Sequence, residues 1–213
     1  MRAVTRRQGL VVVALLLTPT MFVLVPLITG YARPVIGYVL VLVTYWLGFC
    51  LPVAVVFSNG PRDVSIRVRN RPIWIPIAAL ILPAATFIAA GSSSVLDADA
   101  RVVVLAVSCA AINAPLEELA WRRSFRAISN SSPGFELLGL LLFVLWHVPL
   151  GFSYGVCFDY GLVGLAGGAL FHGTAWTLMT RMSDSVGWPI VSHVLVNLAA
   201  FLPFFATNFA AAF

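Results

Sequence analysis

The stretch Leu10-Val11-Val12-Val13-Ala14-Leu15-Leu16-Leu17-Thr18-Pro19-Thr20-Met21-Phe22-Val23-Leu24-Val25-Pro26-Leu27-Ile28 carries no charge and nothing more polar than threonine. As a helix, about 20 such residues cross roughly 30 Å of hydrocarbon. The run exceeds the roughly 7–15 apolar residues of a signal-peptide core and is read as a retained membrane helix. The rest of the chain repeats the pattern. Of 213 residues, 61% are hydrophobic and only 10% charged, with a mean hydropathy of +0.98. A soluble domain is about half apolar and about a quarter charged. Too few polar side chains remain here to cover a surface in water, so the solvent is lipid.

Working outward, further spans are predicted at Val35–Phe57, Ile73–Ala90, Val102–Leu119, Phe135–Phe152, Tyr160–Thr180 and Trp188–Phe205. The predicted fold is all-α: a polytopic helix bundle of about seven spans (six to eight), forming a single membrane domain over residues 1–213. Breaker clusters at Ser58–Pro61, Gly91–Ser94, Ser129–Gly134 and Ser183–Ser185 separate the spans. All thirteen basic residues are arginine. Arg2, Arg6, Arg7, Arg62, Arg67, Arg69, Arg71, Arg122, Arg123, Arg126 and Arg181 fall at alternate ends of the spans, and only Arg33 and Arg101 at the others. The positive-inside rule then puts the N-terminus in the cytoplasm and the C-terminus outside. The net charge of +5 sits in short loops and is no nucleic-acid signature. Cys50, Cys109 and Cys157 have neither disulfide nor zinc-ligand spacing. Gly164 and Gly168 form a GxxxG, read as tight packing inside the bundle rather than dimerisation.

Ionisable groups inside a span cost about 2.5–3.5 kcal/mol each, so they face the bundle interior and mark function. Three spans carry them: Glu117, Glu118 and Arg122 in the fourth, Phe143 and His147 in the fifth, His193 and Asn197 in the seventh. Glu118 and Arg122 are one helical turn apart and can pair. Glu117 lies around the helix from Glu118 and is free to face a cavity. His193 and Asn197 form a second stripe, and Phe143 can wall the side of His147. A spare carboxylate, two imidazoles and an amide in a dry place suit hydrolysis, with the carboxylate activating water and the others stabilising an oxyanion. If Arg122 marks the interface, Glu117 and His193 lie about 8 Å deep and Asn197 about 14 Å. His147 then lies about 18 Å deep, some 10 Å below Glu117 and His193.

The ordered set EExxxR (Glu117, Glu118, Arg122), FxxxH (Phe143, His147) and HxxxN (His193, Asn197) resembles the type II CAAX prenyl protease (CPBP, or Abi) family, over a core of about residues 102–205. The resemblance implies a cytoplasm-facing intramembrane endopeptidase acting on a peptide or protein substrate in the lipid bilayer. Glu117 would activate water with help from His147. Arg122 would hold Glu118, and His193 and Asn197 would bind the oxyanion. The family is often labelled metalloprotease, and Glu117, His147 and His193 would be a normal ligand count for zinc. A metal-free glutamate mechanism is the preferred expectation. A bacterial plasma membrane is the expected location. A non-catalytic bacteriocin-immunity or peptide-binding protein of the same fold is the alternative. A transporter is a third reading, disfavoured because all the motifs lie in the second half. His172 and the loop acids Asp63, Asp159 and Asp184 are read as packing or solvated groups.

Overall fold

The computed structural model describes residues 2–90, 98–129 and 132–210. The breaker cluster at 91–94 and residues 130–131 lie outside the described residues. Six helices are long and apolar enough to cross a membrane: α1 (Thr5–Tyr31), α2 (Pro34–Phe57), α4 (Ala100–Ile128), α5 (Pro133–Phe152), α6 (Gly161–Ser183) and α7 (Gly187–Phe209). A shorter apolar helix, α3 (Trp74–Ala89), makes the seventh. Among the described residues there is no strand, only an isolated bridge between Ser65 and Ser185. The protein is a polytopic helical membrane bundle.

Helix α7 packs between α3 and α4, while α6 rests on α5 and touches α3 and α7 only lightly. Two of the helices contain a π turn: Trp46–Cys50 in α2 and Glu118–Arg123 in α4. Their i→i+5 bonds run from Leu51 N–H to Trp46 O and from Ser124 N–H to Leu119 O. Such turns recur at functional sites because they re-aim side chains without ending the helix. Here the two face each other.

Two expectations about depth change. Helix α4 does not end near Arg122, which is only 4% exposed, but continues to Ile128. That puts Glu117 roughly 16 Å from the arginine-rich end and His147 roughly 21 Å from the start of α5, halving the anticipated gap between them. Arg122 misleads as an interface marker because it is a buried, partnered cation. Helix α7 also starts in a recess. Ser65 N–H donates to Asp184 O and Val186 N–H to Ser65 O, both at 2.9 Å, so the segment after α2 lies over the start of α7.

The arginine-rich end is tied together internally. Arg6 donates to Val56 O and Asn59 O, and Arg7 to Ile128 O and Ser129 O, so both cap helix C-termini. Asp184, read from sequence as a solvated acid, instead accepts from Arg62 (2.7 and 2.5 Å) and from Arg126 (2.9 Å). It also takes the left-handed backbone, at φ 49°, that ends α6. Burial raises the Asp184 carboxyl, but the hydrogen bonds from Arg62 and Arg126 outweigh it and hold it below the ordinary carboxylate range. Buried Glu136 is a second hub, paired with Arg126 (2.5 Å) and Arg181 (3.1 Å). Sequence inspection passed over it.

Candidate active site

The polar residues of α4, α5 and α7 meet at one cavity. Its volume is about 720 Å³, and Glu117, Phe143, His147, His193 and Asn197 all line it. Glu118 and Arg122 stand behind it, 0% and 4% exposed.

Arg122 Nη1 lies 3.4 Å from Glu118 Oε1, and its guanidinium sits 3.8 Å over the Phe143 ring. A Cβ at Gly173 on α6 would meet Leu140, the Arg122 guanidinium and Phe143, so the glycine lets α6 lie close against that stack. His193 spans the two carboxylates, with Nδ1 2.9 Å from Glu118 Oε1 and Nε2 3.4 Å from Glu117 Oε2. Trp176 stacks on its ring at 3.9 Å. With Nδ1–H given to Glu118, Nε2 faces the Glu117 carboxylate. His147 Nδ1–H donates to Phe143 O at 2.8 Å, leaving Nε2 toward the cavity, and the Phe143 ring is 4.6 Å from its own. Asn197 Nδ2 is buried with no hydrogen-bond partner among the described residues.

Sequence reasoning missed several participants. Tyr45 OH donates to Glu117 Oε1 at 2.8 Å and Asn113 Nδ2 to Glu117 Oε2 at 2.9 Å. Trp146 also lines the cavity, and its buried Nε1–H has no partner among the described residues. His172, read as a packing residue, lies on the cavity wall with Nε2 2.9 Å from Thr86 Oγ1. Gly164 and Gly168 line the cavity too, and a Cβ at Gly168 would meet nothing within 4 Å. Gly168 thus leaves room in the cavity, whereas a Cβ at Gly164 would meet the Tyr160 side chain at 2.5 Å.

The opening differs from the sequence expectation. Exposed lining residues Ala89, Cys157, Asp159, Tyr160, Gly161 and Thr207 sit at the arginine-poor ends of the helices. Exposed Ala85 and Phe171 lie along the seam between α3 and α6. The arginine-rich end, where the depth of the motifs had suggested the entrance, is covered by the segment after α2 and its ion pairs. Among the described residues, no three His, Cys, Asp or Glu side chains are grouped to hold a metal, so Glu117, His147 and His193 do not form a ready ligand set.

Residues 99–199 match the family model described as Rce1-like, type II CAAX prenyl endopeptidase Rce1-like. Comparison with curated proteins gives no match, and neither does comparison with solved structures. The matched stretch holds Glu117, Glu118, Arg122, His147, His193 and Asn197, and over it the chain is similar to the type II CAAX prenyl endopeptidase family.

Proposed function

We propose that the protein is an intramembrane endopeptidase in which Glu117 activates the attacking water. The observation that carries this reading is the convergence of Glu117, His147, His193 and Asn197 on one cavity large enough for several residues of an extended peptide. Glu117 takes a proton from water as the oxygen attacks the scissile carbonyl, and the proton passes to the leaving amine. His147 Nε2 flanks the same water. Asn197 offers its free Nδ2–H to the oxyanion beside His193. Glu118, fixed by Arg122, orients His193. Every step uses side chains of the chain itself.

Glu117 and His193 lie toward the arginine-rich ends of their helices, which the charge distribution favours as cytoplasmic, while His147 lies toward the other end of α5. The substrate then reaches them through the opposite mouth or along the α3–α6 seam, which suits a membrane-anchored peptide. A bacterial plasma membrane is the proposed location. The test is cleavage of a fluorogenic farnesylated CAAX peptide and its unprenylated counterpart by purified protein in lipid nanodiscs. Glu117→Gln preserves shape and removes the base, so cleavage should vanish while the folded yield holds. Cleavage by that variant would refute the role of Glu117. Wild-type protein that binds peptides without cutting them would establish the non-catalytic alternative.

A further inference from the structure

Glu117 is held by a symmetrical chain of donors that lies partly outside the matched family stretch. On one side, Trp121 Nε1–H donates to the Tyr45 hydroxyl oxygen at 2.6 Å, and Tyr45 O–H donates to Glu117 Oε1 at 2.8 Å. On the other, Trp46 Nε1–H donates to Asn113 Oδ1 at 2.7 Å, and Asn113 Nδ2–H donates to Glu117 Oε2 at 2.9 Å. An indole nitrogen can only donate. Trp121 therefore occupies a lone pair of the Tyr45 oxygen and directs its proton at Glu117. Trp46 fixes which way the Asn113 amide is turned. All five side chains are at most 6% exposed, so water does not compete for these bonds.

The geometry comes from the fold. Tyr45 and Trp46 are consecutive and point about 100° apart on a helix, which lets α2 reach both arms of the chain. Trp46 opens the π turn of α2, Trp121 lies in that of α4, and the two turns are in contact. Tyr45 also stacks on Trp146, with ring centroids 3.7 Å apart.

We infer that Tyr45 and Asn113, each oriented by an indole, are positioning residues that hold both Glu117 oxygens and so set where the remaining lone pairs meet water. This rests on the reading of Glu117 as the base. A packing role alone would affect stability without selecting the chemical step. Misplacing a reacting group by even about 1 Å can cost about 100-fold in rate.

The variant to make is Tyr45→Phe, which removes one oxygen and keeps the ring stacks. With the farnesylated CAAX peptide, kcat should fall roughly 10- to 100-fold, the range for losing a bond to a charged group, while KM stays within about twofold. A second reading does not depend on turnover. The infrared carboxyl band that disappears in Glu117→Gln should shift in Tyr45→Phe, since its hydrogen bond has changed. An unmoved band with kcat within about twofold of wild type overturns the inference. A shifted band without any cleavage by wild-type protein keeps the inference and sinks the protease reading. Should Tyr45→Phe accumulate poorly, Asn113→Leu tests the other oxygen by the same measurements.

Discussion

The sharpest energetic consequence of the site concerns Glu118 and Arg122. Glu118 is fully buried, and its Oε1 is shared by Arg122 at 3.4 Å and His193 at 2.9 Å. Replacing it with leucine strands the Arg122 charge where only 4% of that residue meets solvent. Leaving one member of a buried pair uncompensated costs about 3–5 kcal/mol. The Phe143 face, 3.8 Å from the guanidinium, survives the change and retains a cation–π attraction of about 2 kcal/mol. Glu118→Leu should therefore fall toward the lower end of the range. Arg122→Met strands Glu118 and also loses the aromatic contact, so it should fall toward the upper end. The double variant removes both charges, and replacing a buried pair with apolar groups is often nearly neutral. A double-mutant cycle in lipid bicelles, with unfolding followed by steric trapping, should show coupling of several kcal/mol. Additive losses, or single variants within about 1 kcal/mol of wild type, would refute this account of the pair.

The cover over the arginine-rich end should respond to acid. Because the folded Asp184 carboxyl is held low, its contribution is present above the unfolded aspartate value near 3.9 and is lost as pH falls further. Hydrogen-exchange protection of residues 58–71, taken relative to the intrinsic rate at each pH, should be steady above about pH 4 and fall below it, and Asp184→Ala should show the low protection throughout. Gly168→Leu should narrow the cavity without disturbing a packed neighbour, since a Cβ there meets nothing within 4 Å. KM for peptide substrates should rise while the folded yield is kept. Protein stripped with a strong chelator should retain activity and carry well under one zinc per chain. Stoichiometric zinc, with activity lost on chelation and restored by the metal, would instead make Glu117, His147 and His193 ligands.

The parts of the site that could be read from sequence are those carried by local spacing. The Glu118–Arg122 pair follows from one helical turn, and the spans follow from composition. The bonds that hold Glu117 follow from neither. Tyr45 and Glu117 are 72 positions apart, and Trp46 and Asn113 are 67 apart. Within an apolar span a tyrosine, a tryptophan or an asparagine looks like a core filler or interface anchor. Nothing periodic marks which of them turns a proton toward a carboxylate. One signal was available: Asn113 stands one turn before Glu117, the same i, i+4 relation used for Glu118 and Arg122. Asp184 was misjudged, and Glu136 passed over, for a related reason. Neither stands out until Arg62, Arg126 and Arg181 arrive beside them in the fold.

The two adjacent carboxylates are neutralised by different means, and this bears on which of them can do chemistry. Glu118 faces a permanent cation, because arginine does not lose its proton. Protonating Glu118 would leave that charge without its partner in a low-dielectric site. Glu117 faces neutral donors, Tyr45 and Asn113, and the His193 imidazole. A proton arriving on Glu117 leaves no orphaned ion behind. It weakens two neutral hydrogen bonds, and His193 can adjust beside it. A general base must change charge on every turnover, so a carboxylate held by dipoles suits the task better than one locked to arginine. Bringing neutral donors to Glu117 requires α2, which the family match does not cover, to approach α4 at the paired π turns. The positioning chain and the assignment of Glu117 as the base therefore arise from one packing contact.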